Sequence, residues 1–131
     1  MGFQIKRLDH LVLTVTSIEE TVRFYETVMG MSAIRFGADN ARVALRFGQQ
    51  KINLHEIGRE FEPKAARPTA GSGDLCFIVD NFEAAAAHLA ACGVEIIDEG
   101  TRSGAIGSIR SIYFRDTDED LIEVSAYDAA S

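Results

Sequence analysis

The sequence is poor in basic residues and in long apolar runs. Its 13 Lys and Arg are outnumbered by 20 Asp and Glu, which gives a net charge of -7. Because nucleic-acid binding depends on clustered Lys and Arg, this balance argues against nucleic acid as a main partner. The N-terminal segment contains neither the roughly 18 apolar residues of a membrane span nor a cleavable leader pattern. We therefore expect a cytoplasmic protein without a membrane partner.

Cysteine and proline are also scarce, with two of each. Cys76 and Cys92 have neither metal-site nor disulfide-framework spacing, so both are expected to be small buried side chains of a cytoplasmic protein. Both prolines fall in the polar segment GREFEPKAARPTAGSG, which therefore indicates a linker.

The chain contains an internal repeat. The segment DHLVLTVTSIEETVRFYETVMGM, from Asp9, aligns with GDLCFIVDNFEAAAAHLAACGV, from Gly73. Each copy begins with a short apolar run typical of a strand. Ser17 and Asn81 follow as helix N-caps, and Gly30 and Gly93 are placed to end the two helices. Each copy therefore predicts a strand followed by a capped helix.

Three further strands are predicted after each helix, so each half is a βαβββ module. The prediction is one α+β domain over 1–131, with module one at about 5–58, a linker at 59–72 and module two at about 73–127. Modules of this kind each leave one sheet face bare. We expect the two to form one curved eight-stranded mixed sheet around a cleft suited to a small molecule.

Strand alternation places four polar side chains on the bare faces. His10 and Asp74 open the two halves, and His55 and Glu123 close them. Each would ordinarily be a structural or surface residue, but their joint placement by a repeat favours a metal site. Imidazoles with carboxylates suit Zn, Ni, Fe or Mn without selecting among them.

The paired modules, with the segments LDHLVLTV, FGQQKINLHE, EFEPKAA and SIYFRDTDEDLIEVSAY, resemble the vicinal oxygen chelate superfamily of glyoxalases, bleomycin-resistance proteins and extradiol dioxygenases. Within it, the lactoylglutathione-lyase-like subgroup is the most similar. The resemblance implies a divalent metal on the strand residues named above and a homodimer. It also implies enediolate chemistry on a small carbonyl or hemithioacetal-type substrate, with Glu123 as ligand and catalytic base.

Two alternatives stay open at this point. His10, His55 and Glu123 have the composition of the facial triad of Fe(II) dioxygenases of the extradiol type. A binding or resistance protein of the same fold, without chemistry, is the other alternative.

The sequence departs from the family pattern in two places. Members of the glyoxalase I type commonly have a carboxylate where His55 stands and His where Asp74 stands, and the short Asp74 reaches least far. The turn before the last strand carries acidic residues instead of the usual Pro and Gly. We expect this turn to be exposed, with Asp120 in a left-handed conformation.

Candidate substrate contacts are fewer. Lys64 and Arg67 in the linker, with Arg110 and Tyr113 near the last hairpin, could meet an anionic group, although each also fits a solvated surface position.

Overall fold

The computed structural model describes residues 2–128, and the chain divides into two compact units between Thr69 and Ala70. The elements in chain order are β1 (His10–Val15), α1 (Ile18–Met29), β2 (Ser32–Phe36), a 3-10 turn (Ala38–Asn40), β3 (Arg42–Phe47), β4 (Gln50–Glu56), β5 (Asp74–Ile78), α2 (Phe82–Ala91), β6 (Asp98–Gly104), β7 (Gly107–Arg115) and β8 (Leu121–Tyr127). Each unit is therefore one βαβββ module. Within 2–128, no helix is both long and apolar enough to cross a membrane.

The first module is a four-stranded sheet in the order β1-β4-β3-β2, in which β1 and β4 run parallel. One face is apolar and packs on α1: Leu13, Val15, Ile52 and Leu54 are all at most 6% exposed. The helix contributes Tyr25, which is fully buried. Alternation along β1 and β4 therefore leaves the second face of this sheet for polar side chains.

Helix α1 begins and ends as its sequence predicts. The Ser17 hydroxyl accepts a hydrogen bond from the Glu20 backbone N–H at 3.2 Å, which satisfies one of the unpaired donors of the first turn. At the other end Gly30 has φ 68°, a left-handed conformation that glycine adopts without steric cost. The helix is thus held at both ends by local chemistry.

The second module repeats this order as β5-β8-β7-β6, again with its first and last strands parallel. Its buried apolar side chains include Ile112, Phe114, Ile122 and Val124 on the face toward α2, where Leu89 is 2% exposed. The Asn81 side chain caps α2 by accepting from the Ala84 N–H at 3.0 Å.

The predicted α+β class and tandem modules are confirmed. Hydrogen bonding among residues 2–128 groups the strands as two four-stranded sheets, one in each module. The expectation that both cysteines are buried is wrong, because Cys76 and Cys92 are exposed. Cys76 alternates with the apolar residues of β5 and so lies on the polar face of its sheet.

The acidic turn between β7 and β8 also differs from its expectation. Asp116 and Asp120 are 7% and 1% exposed, so the turn is partly buried. Asp116 Oδ1 accepts the backbone N–H groups of Asp118 and Asp120 at 3.0 and 2.9 Å. The left-handed residue is Glu119, with φ 69°, and not Asp120. These two hydrogen bonds hold the backbone of the turn against the Asp116 carboxylate, and the Asp120 side chain is buried as a result.

Candidate functional site

The polar face of the first sheet is defined by the parallel register of β1 and β4. His10 lies opposite Lys51, Val12 opposite Asn53 and Thr14 opposite His55. Since residues paired in this way share a face, His10, Asn53 and His55 all point away from α1. His10 and His55 lie at opposite ends of this pair of strands. They are offset by four residues along the strands, or about 13 Å at a rise of about 3.3 Å per residue.

The second sheet has the same arrangement between β5 and β8. Asp74 lies opposite Leu121, Cys76 opposite Glu123 and Ile78 opposite Ser125. Asp74 and Glu123 therefore share the polar face of this sheet, two residues apart in register.

Comparison of the two registers corrects one step of the sequence argument. Asn53 holds the place in the first module that Glu123 holds in the second, and His55 corresponds to Ser125. The predicted equivalence of His55 and Glu123 is therefore wrong by two residues. The sequence did contain a signal for Asn53, because Ile52-Asn53-Leu54 matches Ile122-Glu123-Val124 in its apolar flanks.

Glu123 is fixed in place by hydroxyl groups. The Ser111 hydroxyl donates to Glu123 Oε2 at 2.6 Å, and the Ser125 hydroxyl lies 3.2 Å from the same oxygen and 2.7 Å from Ser111 Oγ. Both serines are fully buried. Tyr113 pairs with Glu123 across the strands. Burial, followed by the charge of Glu123, raises the pKa of the Tyr113 phenol, so it stays a neutral donor beside the carboxylate.

His10 has a carboxylate behind it. Its Nδ1 lies 2.8 Å from Asp9 Oδ2, and the hydrogen bond to His10 is the main cause that lowers the pKa of Asp9. With Nδ1 donating to Asp9, Nε2 presents its lone pair outward. This is the arrangement commonly found behind metal-binding histidines.

His55 is bound differently. It is 3% exposed, and Arg42 Nη2 donates to its Nε2 at 3.2 Å. Burial first, and then the Arg42 charge, lower the pKa of His55, so its ring is neutral at pH 7. The Phe61 ring lies edge-on at a centroid distance of 5.7 Å. The lone pair with which His55 would bind a metal is therefore occupied by Arg42.

Asn53 was missed as a functional candidate by the sequence argument. Its side chain is 5% exposed, and its Oδ1 has no hydrogen-bond partner among the described residues. A buried amide oxygen left unpaired typically costs about 1–3 kcal/mol. An unpaired acceptor on the polar face of a sheet is a feature that a ligand could satisfy.

The four predicted metal ligands are divided equally between the modules. Each module places two of them on one sheet face, His10 and His55 in the first and Asp74 and Glu123 in the second. Across residues 2–128, no three His, Cys, Asp or Glu side chains form a group that could hold a metal.

The predicted substrate contacts have different surroundings. Tyr113 lies on the Glu123 face, whereas Arg110 lies on the opposite face, where it pairs with Glu83 and stacks over Phe82. This placement on the helix side is a correction to the expected role of Arg110. In the linker, Lys64 pairs with Glu62, which raises the pKa of Lys64, and Arg67 is exposed.

The linings of two surface depressions of the first module include none of the predicted metal ligands. One, of about 400 Å³, is lined by Asp9, Arg46, Gly48, Gln49, Gln50 and Lys51. The other, of about 550 Å³, lies between α1 and the edge of the sheet. The first depression lies beside His10, since Asp9 hydrogen-bonds to His10 and Lys51 lies opposite it, whereas the second is lined by none of the candidate residues.

Comparison with known proteins places this architecture in a family. Residues 7–124 match the model of the Glyoxalase/Bleomycin resistance protein/Dioxygenase superfamily. The chain belongs to this superfamily. The match extends over both βαβββ modules, so membership rests on the tandem architecture as a whole.

Similar proteins match almost the whole chain. Virulence protein STM3117 of Salmonella typhimurium is 52% identical over 94% of this chain and 85% of its own length. Glyoxalase domain-containing protein RDO1 of Mycosarcoma maydis is 48% identical over 96% of this chain and 71% of its own. An integron cassette protein of Vibrio cholerae has a solved structure with a TM-score of 0.93, at 53% identity over 98% of this chain and 100% of its own.

A more distantly similar solved structure contains a metal. The fosfomycin resistance protein FosX of Listeria monocytogenes, solved with Mn(II) and a dihydroxypropylphosphonic acid, has a TM-score of 0.65 at 23% identity, over 96% of this chain and 94% of its own. At this identity the likeness shows the fold.

Proposed function

We propose that this chain is a metal-dependent glyoxalase-like lyase or isomerase, which moves a proton between adjacent carbons of a small carbonyl or hemithioacetal-type substrate. The single observation that carries the proposal is the anchored carboxylate of Glu123. Its Oε2 accepts from Ser111 at 2.6 Å, and the serine is completely buried. A carboxylate held by hydrogen bonds from buried hydroxyl groups suits metal binding and proton transfer better than a solvated carboxylate on a strand would.

The proposed metal ligands are His10 in the first module and Asp74 and Glu123 in the second, which lie on the polar faces of their own sheets and are not grouped within residues 2–128. One imidazole and two carboxylates suit Mn, Fe, Zn or Ni. Asp9 behind His10 and Ser111 behind Glu123 provide the outer hydrogen bonds that such ligands usually have. The Mn(II) bound by FosX supports a metal in this fold. When bound, the ion would supply Lewis-acid stabilisation of negative charge on a substrate oxygen.

His55 is not included among the proposed ligands. Arg42 occupies its Nε2, and His55 lies at the far end of the strand pair from His10. The Fe(II) dioxygenase alternative required His55 as the second imidazole of a facial triad, so it loses one of its three ligands. Glu123 would take and return the substrate proton, and the neutral Tyr113 phenol beside it can donate a hydrogen bond to a substrate oxygen.

We also propose that the protein is a homodimer. The segment before β1 exposes Phe3, Ile5 and Leu8 by 85%, 80% and 61%. Exposed apolar side chains grouped in this way commonly mark a protein interface. Light scattering coupled to size exclusion would test this, and a monomeric mass at micromolar concentration would contradict it.

The function is tested by metal analysis and turnover of the purified protein. We expect about one bound divalent ion per chain, and turnover of methylglyoxal in the presence of glutathione or another thiol. His10→Ala should lose metal, and Glu123→Gln should lose both metal and turnover. His88→Ala and Glu95→Gln are matched controls on exposed positions and should retain both.

Two outcomes would contradict the proposal. Full metal content in both His10→Ala and Glu123→Gln would show that neither side chain is a metal ligand. A metal-loaded protein that turns over no carbonyl substrate with any thiol would favour a binding protein of the same fold.

A further inference from the structure

A group of cationic and aromatic side chains lies on the polar face of the first sheet. We call Phe36, Arg42, Lys51, His55 and Phe61 the Arg42 cluster. The Arg42 guanidinium lies 5.1 Å from the centre of the Phe36 ring and 4.8 Å from that of Phe61. Lys51 Nζ lies 3.6 Å from the centre of the same Phe36 ring. Arg42 and Lys51 therefore both make cation–π contacts with the Phe36 ring, and Arg42 makes a second one with Phe61.

The positive charge of this cluster has no acidic partner of its own. Neither Arg42 nor Lys51 forms an ion pair with any residue in 2–128. The one hydrogen bond that the Arg42 side chain makes there goes to a neutral imidazole, His55. Since a guanidinium has five N–H donors in a planar fork, most of its donors are available to a ligand.

The two carboxylates whose charges act on His55 each have another hydrogen-bond or ion-pair partner. The charges of Glu60 and Glu62 act on His55 and oppose the lowering of its pKa. Glu60, however, accepts the Gly58 backbone N–H at 3.0 Å, and Glu62 pairs with Lys64. In a chain of net charge -7, an unpaired Arg and Lys between aromatic rings form a local positive site.

Asn53 adds an acceptor beside these donors. It lies opposite Ala44 on β3 and two residues before His55 on β4, so it shares the face of the Arg42 cluster. Arg42 lies diagonally across from Asn53, a separation of about 7–8 Å between neighbouring strands. The unpaired Oδ1 of Asn53 requires a hydrogen-bond donor. A ligand that fits both residues carries an anionic group and, a few ångströms away, a hydroxyl.

We propose that the Arg42 cluster and Asn53 bind small 2-hydroxy carboxylates. The carboxylate meets the Arg42 fork, with Lys51 adding charge, and the hydroxyl donates to Asn53 Oδ1. His55 acts as a positioning residue, since its Nε2 holds one Arg42 nitrogen in place. The inference rests on the proposed function for its biological meaning, because moving a proton between adjacent carbons of a 2-oxoaldehyde hemithioacetal gives the thioester of a 2-hydroxy acid. Hydrolysis of that thioester by water then releases the free 2-hydroxy carboxylate and the thiol. Binding itself requires no metal.

The test uses the metal-free full-length protein, stripped with a chelator, and three probes of nearly equal size. In NMR titrations that follow the Arg42 side chain and the His55 ring, lactate should bind and shift both signals. Propionate, which lacks the hydroxyl, should bind about tenfold more weakly, as expected for one lost hydrogen bond. Lactamide, which lacks the charge, should produce no saturable shift. Equal binding of lactate and lactamide by the wild-type protein would overturn the proposal.

Variants separate the two contacts. Arg42→Gln should abolish lactate binding, and Arg35→Gln should not, because Arg35 pairs with Val43 on the opposite face of the same sheet. Asn53→Leu should make lactate and propionate bind equally. Unchanged lactate affinity in Arg42→Gln, or a preserved preference for lactate in Asn53→Leu, would contradict the assignment.

The inference and the proposed function can fail separately. Loss of lactate binding in the metal-free protein, with turnover still dependent on Glu123, would overturn the carboxylate site alone. Lactate binding that depends on Arg42, in a protein that holds no metal and turns over no carbonyl substrate, would overturn the enzyme proposal alone.

Discussion

Asn53 occupies in the first sheet the register position that Glu123 occupies in the second. Each lies on the last strand of its module, opposite the third residue of the first strand. Both modules thus have a polar side chain at this position, but its chemistry differs. In the second module it is a carboxylate held by a hydrogen bond from Ser111, and in the first it is a neutral amide whose oxygen is unpaired among the described residues. This difference separates a proposed metal and proton-transfer residue from a proposed hydroxyl acceptor.

Replacing Asn53 with Leu should stabilise the protein. The buried Oδ1 has no partner among the described residues, so removing it relieves a desolvation cost of about 1 kcal/mol, at similar side-chain volume. Urea unfolding should show a higher midpoint at unchanged slope. A clear destabilisation would mean that the amide supports the fold, and that its position on the polar face is structural.

Ser111→Ala should weaken function while leaving the fold intact. The hydroxyl donates to Glu123 Oε2 at 2.6 Å, and loss of a hydrogen bond that holds a metal-binding side chain typically lowers metal affinity or activity about 10- to 100-fold. Competitive metal titration and kcat/KM measure the effect. Ser108→Ala, at an exposed position of the same strand, is the control, and an equal loss in both variants would contradict the anchoring role.

Asp120 should make stability fall as pH rises from about 4 to about 7. Burial, with the Asp116 carboxylate as the second cause, raises the pKa of Asp120 to about 7, above its ordinary 3.8. The folded state therefore binds a proton that the unfolded state has released, and this contribution is lost as pH passes the folded pKa. Asp120→Asn keeps the acceptor for the Gly73 N–H and removes the charge. It should stabilise the protein by about 1–3 kcal/mol at pH 8 and by much less at pH 4.

Unfolding of the wild type and Asp120→Asn at both pH values checks this. The difference between the two proteins cancels the opposite effect of His55, whose lowered pKa favours stability as pH rises. The same difference at pH 4 and pH 8 would show that Asp120 is not the titrating group.

Gly71→Ala should destabilise the second module. Gly71 has φ +79°, and an added Cβ would lie 2.6 Å from the Asp118 carbonyl oxygen. Strain of this kind costs about 1–3 kcal/mol, measured as a lower midpoint of thermal or urea unfolding. Gly48→Ala provides the comparison, because Gly48 also has positive φ but open space around it, and it should cost about 1 kcal/mol. A smaller loss in Gly71→Ala than in Gly48→Ala would rule out the steric contact.

Local features of the fold were predictable from the sequence because they depend on neighbouring residues. Ser17 and Asn81 cap the two helices as expected, and Gly30 ends α1 in a left-handed conformation. Alternation along β1 correctly separated the helix-facing side chains from the polar face. The acidic turn was mispredicted because its burial depends on hydrogen bonds from the backbone N–H groups of the turn to Asp116, which composition does not reveal.

The sequence by itself determined two βαβββ modules and their polar faces, since strand alternation and helix capping act over a few residues. Only the tertiary structure decided the register between the first and last strands of each module. That register makes Asn53, and not His55, the counterpart of Glu123. The sequence could not show this, because the paired strands are about forty residues apart in the chain. A register shift of two residues also leaves every side chain on the same face, so alternation does not detect it. The pairing of β3 with β4 places Arg42 beside His55, so the hydrogen-bond partner of that histidine is a cation.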